Sequence, residues 1–283
     1  MKKILLLGQD GMLGGELALR LEANPEYEVS VTTISTLDIC NKDAVIKKVE
    51  EENPYFIINC AAYTNVDGCE TNFELANSVN GKAVENIAEA ANKVGATLLH
   101  ISTDYVFDGE LPTDQIYTED MQTGPVSAYG KTKLLGEQNA AKAEKYYILR
   151  TAWLYGKGKN FVRTMLKLAS ERDTLNVVAD QHGSPTSSTT LCEIIEQFLV
   201  KEPAYGIYHS TNEGFTTWYE FAKTIFELSG VNVTVNPVDS DEFPTPTKRP
   251  HNSMLSKEKL HNIGIYPKDY VEALKDYLKE EIK

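Results

Sequence analysis

The sequence predicts an α/β protein, a doubly wound parallel sheet with a smaller mixed α/β domain at its C-terminal side. Three observations lead there. Short β-like runs alternate with helical patterns through the first half of the chain, a glycine-rich turn follows the first of those runs, and the regular rhythm loosens after residue 155. At 283 residues, with 42% hydrophobic and 24% charged side chains, the chain can bury a core without staples.

Taken in order, KKILLLG from Lys2 reads as a strand, Gly14 to Leu21 as a helix, YEVSVTT from Tyr27 as a second strand, and Lys42 to Glu52 as a second helix. YFIINCAA from Tyr55, a long helix from Glu74 to Val94, ATLLHIS from Ala96, a helix beginning near Ser127 and KYYILRTAW ending at Trp153 continue the pattern. Alternation of this kind implies crossover helices and parallel strands, six or seven of them by residue 153, in a Rossmann-type sheet. The later segments are a helix in NFVRTMLKLASER, a strand in LNVVAD, a helix to Val200, GIYHST, a helix from Trp218 to Ser229, VNVTVNPV, a loop rich in Pro and Thr, and a charged terminal helix. The expected division is residues 1–155 for a dinucleotide and residues 156–283 mainly for substrate, with elements exchanged between the two.

A formal charge of -13 opposes binding to DNA, RNA or an anionic membrane, whose phosphates attract Lys and Arg. A phosphorylated substrate therefore needs a local basic pocket. The apolar run Ile4 to Leu7 is far below signal-peptide or membrane-spanning length, so a soluble, cytoplasmic protein is expected. Cys40, Cys60, Cys69 and Cys192 form no CxxC pair and stand at no zinc-ligand spacing, which suits reduced core or surface thiols and no structural metal.

Gly8, Gly11 and Gly14 make GxxGxxG in GQDGMLG, between the first strand and the first helix. Such a turn lets backbone approach a pyrophosphate, and the helix start supplies free N–H groups and a positive partial charge. The same glycines also suit an ordinary strand-to-helix turn. Tyr129 and Lys133 stand four residues apart in SAYGKTKLLGE, on one helical face. A nearby ammonium is expected to lower the phenol's pKa from about 10, readying Tyr129 as a proton donor, although an exposed helix pair has the same spacing. Ser102, Thr103 and Asp104 close a strand, where open α/β sheets place ligands and where a hydroxyl can meet a carbonyl oxygen gaining charge; a strand-end turn uses the same residue types.

Together, GxxGxxG, NCAAYTNVD, STDYVFDG, YGKTKLLGE, RTAWLYG and RPHNS resemble the dTDP-4-dehydrorhamnose reductases of the extended short-chain dehydrogenase/reductase superfamily, over nearly the whole chain. The resemblance implies NADPH-dependent reduction of the 4-keto group of dTDP-4-dehydro-L-rhamnose to dTDP-L-rhamnose, in polysaccharide biosynthesis. It makes Thr103, Tyr129 and Lys133 catalytic, with Lys133 also holding the nicotinamide ribose. Gly8, Gly11, Met12, Leu13 and Gly14 become the pyrophosphate turn, Asp38 and Ile39 the adenine contacts, and Ala61, Ala62, Tyr63 and Thr64 the loop under the cofactor. Thr103, Asp104, Trp153, Arg249 and Asn252 become substrate contacts, with Arg249 and Asn252 on the dTDP part. A packed core aromatic at Trp153 and a surface charge at Arg249 are the plainer alternatives.

The second strand ends in Thr32 and Thr33, without an acid for an NAD ribose and without an arginine for a 2′-phosphate, so NADPH is permitted and NADH stays open. Some relatives hold Mg²⁺ at a subunit contact, and Glu16 matches one such acid, but one carboxylate makes no metal site. A monomer and a homodimer both remain compatible. Among rivals on this fold, a sugar-nucleotide epimerase is similar, and a dehydratase carries Thr-Asp-Glu where Tyr105 follows Asp104 here. A non-catalytic regulatory subunit shares SDYVFDG and YGKTK, yet lacks the TAW segment that contains Trp153.

Overall fold

The computed structural model describes residues 1–281. Its central sheet is parallel throughout and six-stranded, made of β1 (Lys2–Leu7), β2 (Tyr27–Thr32), β3 (Phe56–Asn59), β4 (Thr97–Thr103), β5 (Tyr146–Thr151) and a late strand at Gly206–His209. The order places β2 and β1 on one side of β3, β4, β5 and the late strand on the other. Between β1 and β3 the chain changes direction across the sheet, and the crevice at the carboxyl ends there is where doubly wound sheets bind ligands. Only five parallel strands precede residue 153, against the six or seven expected; the sixth is contributed by Gly206–His209, which pairs with β5 from Tyr147 to Arg150.

Alternate residues of the strands enter two separate cores. Ile4, Leu6, Phe56 and Ile58 pack on one face, and Leu5, Leu7 and Ile57 on the other, all fully buried. Helices α1 (Met12–Glu22), α2 (Lys42–Glu52), α3 (Val66–Thr71), α4 (Phe73–Ala76) and α5 (Ala83–Val94) connect the first four strands. The side chain of Asn41 caps α2 by accepting from the Ala44 amide. The long helix read from Glu74 to Val94 is interrupted by a π-helical segment, Asn77–Lys82.

After α6 (Ala128–Ala140) and β5 come β6 (Leu154–Tyr155), α7 (Phe161–Glu171), β7 (Thr174–Val178), β8 (His182–Gly183), β9 (Thr186–Ser187) and α8 (Ser188–Lys201). Leu191, Ile194, Ile195 and Phe198 of α8 pack into the same core as α1. The late strand is β10; β11 (Thr216–Thr217), α9 (Trp218–Ser229), β12 (Thr234–Val238), α10 (Glu258–Asn262) and α11 (Tyr270–Glu281) follow. Short pairs β11 with β8, β12 with β7 and β6 with β9 build a second layer at the carboxyl ends of the main strands, around a core of Tyr155, Val162, Phe221, Ile225 and Leu274. Among the described residues no helix is long and apolar enough to cross a membrane.

Candidate active site

Steric necessity shapes the turn after β1. Gly8 has a φ of +86°, and a Cβ on it would lie 2.6 Å from the Ala61 amide nitrogen. A Cβ on Gly14 would lie 2.1 Å from the Gly8 carbonyl oxygen, so α1 approaches the turn only with glycine there. Gly11 is the N-cap of α1, offers no side chain to the helix, and is followed by no acid in the first turn. The N–H groups of that turn and the positive end of the helix dipole are thereby left for an anion.

Beside this turn a cavity of about 260 Å³ is lined by Gly8, Gly11, Thr32, Thr33, Asp38, Ile39, Ala61 and Ala62. A second cavity of about 430 Å³ shares Gly11, Cys60 and Ala62 with it and adds Met12, Leu13, Thr64, Thr103, Asp104, Tyr129, Lys133 and Trp153. A third, of about 460 Å³, shares Tyr105 and Trp153 with the second and is bounded by Trp218, Phe243, Arg249 and His251. The three form one cleft along the carboxyl edge of the sheet. The glycine turn fits the diphosphate of a dinucleotide, the first cavity, which Asp10 and Asp38 also line, has room for a nucleoside, and the second cavity has room for its other end beside Tyr129.

Strand β4 ends in Thr103, whose hydroxyl donates to Asp104 Oδ1 at 2.9 Å and accepts from the Tyr105 amide at 3.3 Å. The other Asp104 oxygen accepts from the Ser253 hydroxyl, brought in from the far C-terminal part of the chain. Burial pushes the Asp104 carboxyl up to about 6, with Ser253 and Thr103 opposing. Tyr129 enters the same cavity from the first turn of α6, whose N-cap Ser127 accepts from the Gly130 amide. Its ring stands edge-on to Tyr105 at 5.5 Å.

The lowering of the Tyr129 pKa expected from Lys133 does not occur here. Burial raises the phenol, the Asp104 charge raises it further, and the Thr103 hydroxyl is the main opposing group. The reason is where Lys133 points: its ammonium donates to the Ile101 carbonyl at 2.6 Å. Burial in turn brings Lys133 down to about 8, against the pull of Glu137. Tyr129 is thus a neutral phenol over the whole physiological range, the form a proton donor needs.

Arg249 lines the third cavity, and its guanidinium is held there rather than loose on the surface. Nη2 donates to both Asp67 oxygens at 2.8 Å and Nη1 to the Tyr105 hydroxyl at 3.1 Å. Asn252 is a correction to the sequence reading, because its side chain does not reach the cleft. Nδ2 donates to the carbonyls of Leu111, Pro112 and Gln115, Oδ1 accepts from the Met254 amide, and the residue is buried. It ties two loops together. Gly14 and Tyr63 also stand behind the cleft wall: Gly14 packs the turn, and Tyr63 packs against the cluster of Cys69, Ala76 and Ala128.

Glu16 accepts from the hydroxyls of Ser188 and Thr189, at the start of α8. Among the described residues no three His, Cys, Asp or Glu side chains are grouped to hold a metal ion. Four contributors were not singled out from the sequence: Asn80, Asp67, Ser253 and Trp218. Asn80, in the π-helical segment, accepts from the Tyr63 amide at 2.7 Å and donates to the Tyr63 carbonyl and to Thr132, tying the loop Ala61–Thr64 to α6. An Asn-Gly pair inside a helical pattern was its only local signal; Asp67 and Ser253 lay inside motifs already noted, and Trp218 had none.

Comparison with known proteins agrees with this geometry. A family model described as the RmlD substrate binding domain matches residues 1–282. A dTDP-4-dehydrorhamnose reductase of Aggregatibacter actinomycetemcomitans is 43% identical over 98% of both chains. Among solved structures, a dTDP-4-dehydrorhamnose reductase of Clostridium acetobutylicum is 44% identical with a TM-score of 0.96, covering 99% of this chain and 100% of that one. One from Bacillus anthracis, in complex with NADP, is 40% identical with a TM-score of 0.93 over 99% of each chain. With the glycine turn, the Thr103, Tyr129 and Lys133 cluster and these full-length matches in agreement, the chain belongs to the dTDP-4-dehydrorhamnose reductase family.

Proposed function

We propose that this protein reduces the 4-keto group of dTDP-4-dehydro-L-rhamnose with NADPH, giving dTDP-L-rhamnose in the cytoplasm. The observation that carries the reading is the position of Tyr129, Thr103 and Lys133 in the middle cavity, between a cradle for a diphosphate and a chamber containing Arg249. Residues 1–155, completed by α8 and β10, hold the cofactor, and the remaining C-terminal residues hold the nucleotide sugar.

When bound, the reduced nicotinamide supplies a hydride to C4 of the sugar. Tyr129 gives its phenolic proton to the oxygen on that carbon and is reprotonated from solvent. Thr103, aligned by Asp104, stands beside the same oxygen and turns its hydroxyl toward the charge that develops there. Lys133, whose ammonium donates to the Ile101 carbonyl on the wall of the same cavity, would hold the nicotinamide ribose. Trp153 and Arg249 orient the sugar and the diphosphate, a guanidinium suiting the latter.

On cofactor choice, β2 itself ends without an acid, in Thr32 and Thr33 on the first cavity, whose carboxylates are Asp10 and Asp38 on other segments, and the Bacillus anthracis relative was solved with NADP. NADPH is therefore used at least as well as NADH. The test is NADPH oxidation, followed at the absorbance of the reduced nicotinamide, on dTDP-, UDP- and GDP-linked 4-keto-6-deoxy sugars. dTDP-4-dehydro-L-rhamnose is expected to turn over far faster than the others. Equal rates with the dTDP-4-keto-6-deoxyglucose isomer would count against the assignment.

A further inference from the structure

Both tryptophans of the chain meet at one point of the cleft. Trp153 and Trp218 stack with ring centroids 3.6 Å apart and planes 11° from parallel, on the wall of the third cavity, and Trp153 also lines the cavity of Tyr129. Trp153 has a φ of 49°, in the left-handed region that a bulky side chain occupies only at a cost. Its surroundings must therefore impose that conformation. Its carbonyl accepts from the Thr186 amide at 3.2 Å. Trp218 follows directly on β11, which pairs with β8, and that pairing carries the second indole onto the first.

Phe161 supports Trp218 at 4.4 Å. Gly183 of β8 leaves room for the indole of Trp153, since a Cβ there would lie 2.6 Å from its Cε2. Every one of these supports lies beyond residue 155, whereas Trp153 ends the segment that carries the catalytic residues. The stack is thus the point at which the C-terminal layer sets the shape of the catalytic cavity.

We infer that Trp218 is a positioning residue that determines sugar specificity. Stacked on Trp153, it fixes the indole plane against which the C–H face and methyl group of a 6-deoxyhexose lie, and so the angle at which C4 meets Tyr129. The inference rests on the function proposed above. An indole wall recognises apolar C–H surface without hydrogen bonds, so its tilt, rather than any polar contact, discriminates between stereoisomers of the ring.

The experiment compares Trp218→Ala, Trp218→Phe and Gly183→Ala with the unaltered protein, measuring kcat and KM for dTDP-4-dehydro-L-rhamnose and its 4-keto-6-deoxyglucose isomer, NADPH affinity, and thermal unfolding. Trp218→Ala is expected to raise KM for the preferred sugar about tenfold, near the upper worth of one aromatic pair, and to narrow its preference over the isomer. NADPH affinity should be unchanged, and Trp218→Phe should restore most of the loss. Gly183→Ala, which only crowds the indole, should give the same KM effect and serves if Trp218→Ala does not fold. Unchanged KM and preference in the alanine variants overturn the inference, as does a phenylalanine variant no better than alanine. An unaltered protein that turns over neither sugar refutes the function instead; the inference is then decided by titrating dTDP-L-rhamnose against tryptophan emission in the unaltered protein and in Trp218→Ala. Binding about tenfold weaker in the variant supports it, and equal binding, or none to either, overturns it.

Discussion

The Asp104 carboxylate accepts one hydrogen bond from Thr103 and another from Ser253, so its ionisation decides which way the Thr103 hydroxyl is drawn. With its pKa near 6, the carboxylate is charged above that pH and loses its acceptor role as the pH falls through it. Lys133, near 8, keeps its ammonium below that pH and loses it above. Both forms are needed together between the two values, which gives a bell-shaped kcat/KM for the keto sugar with its maximum between about 6 and about 8. Tyr129 adds no limb in this range because burial lifts it. Asp104→Asn, which cannot titrate, should flatten the acid limb and leave the alkaline one in place. An acid limb unchanged in that variant would show that another group titrates there.

Tyr129, Lys133 and Glu137 recur every four residues along α6 and share one face. Glu137 anchors that face: it is bidentate to Arg150 of β5, through Nε at 2.9 Å and Nη2 at 2.8 Å, and accepts from Ser102 at 2.6 Å, with both charged side chains almost fully buried. Glu137→Gln leaves the Arg150 charge buried without its counter-charge, so stability should fall by about 3–5 kcal/mol in denaturant unfolding. A loss below about 1 kcal/mol would mean that the pair behaves as a surface one. At this scale the sequence was informative where periodicity and caps agree, as in Lys42–Glu52, which the structure reproduces. It was less so where distant partners decide. Within the π-helical segment Asn80 reaches across to Tyr63, and the role of Asn252 comes from loops that only folding brings around it. The strand count failed because β10 joins the sheet from beyond the regular alternation.

Across the whole molecule, the first half supplies the glycine turn, Thr103, Tyr129 and Lys133, while Trp218, Arg249 and Ser253 come from the C-terminal layer. Motifs marked the first group because each sits at a strand end or helix start, where local sequence dictates geometry. The second group depends on which short strands pair, and no periodicity encodes that. Tyr129 is the proton donor on which the proposed reduction of a 4-keto sugar turns. Its most direct test is kcat for Tyr129→Phe on dTDP-4-dehydro-L-rhamnose, with NADPH affinity measured by fluorescence on the same preparation. With Tyr129 as donor, kcat should be lower by about 10² to 10⁴, the usual worth of a positioned acid, with NADPH still bound. Near-normal kcat, with the chemical step shown to limit the rate, would contradict it and move the proton to Asp104 or to water.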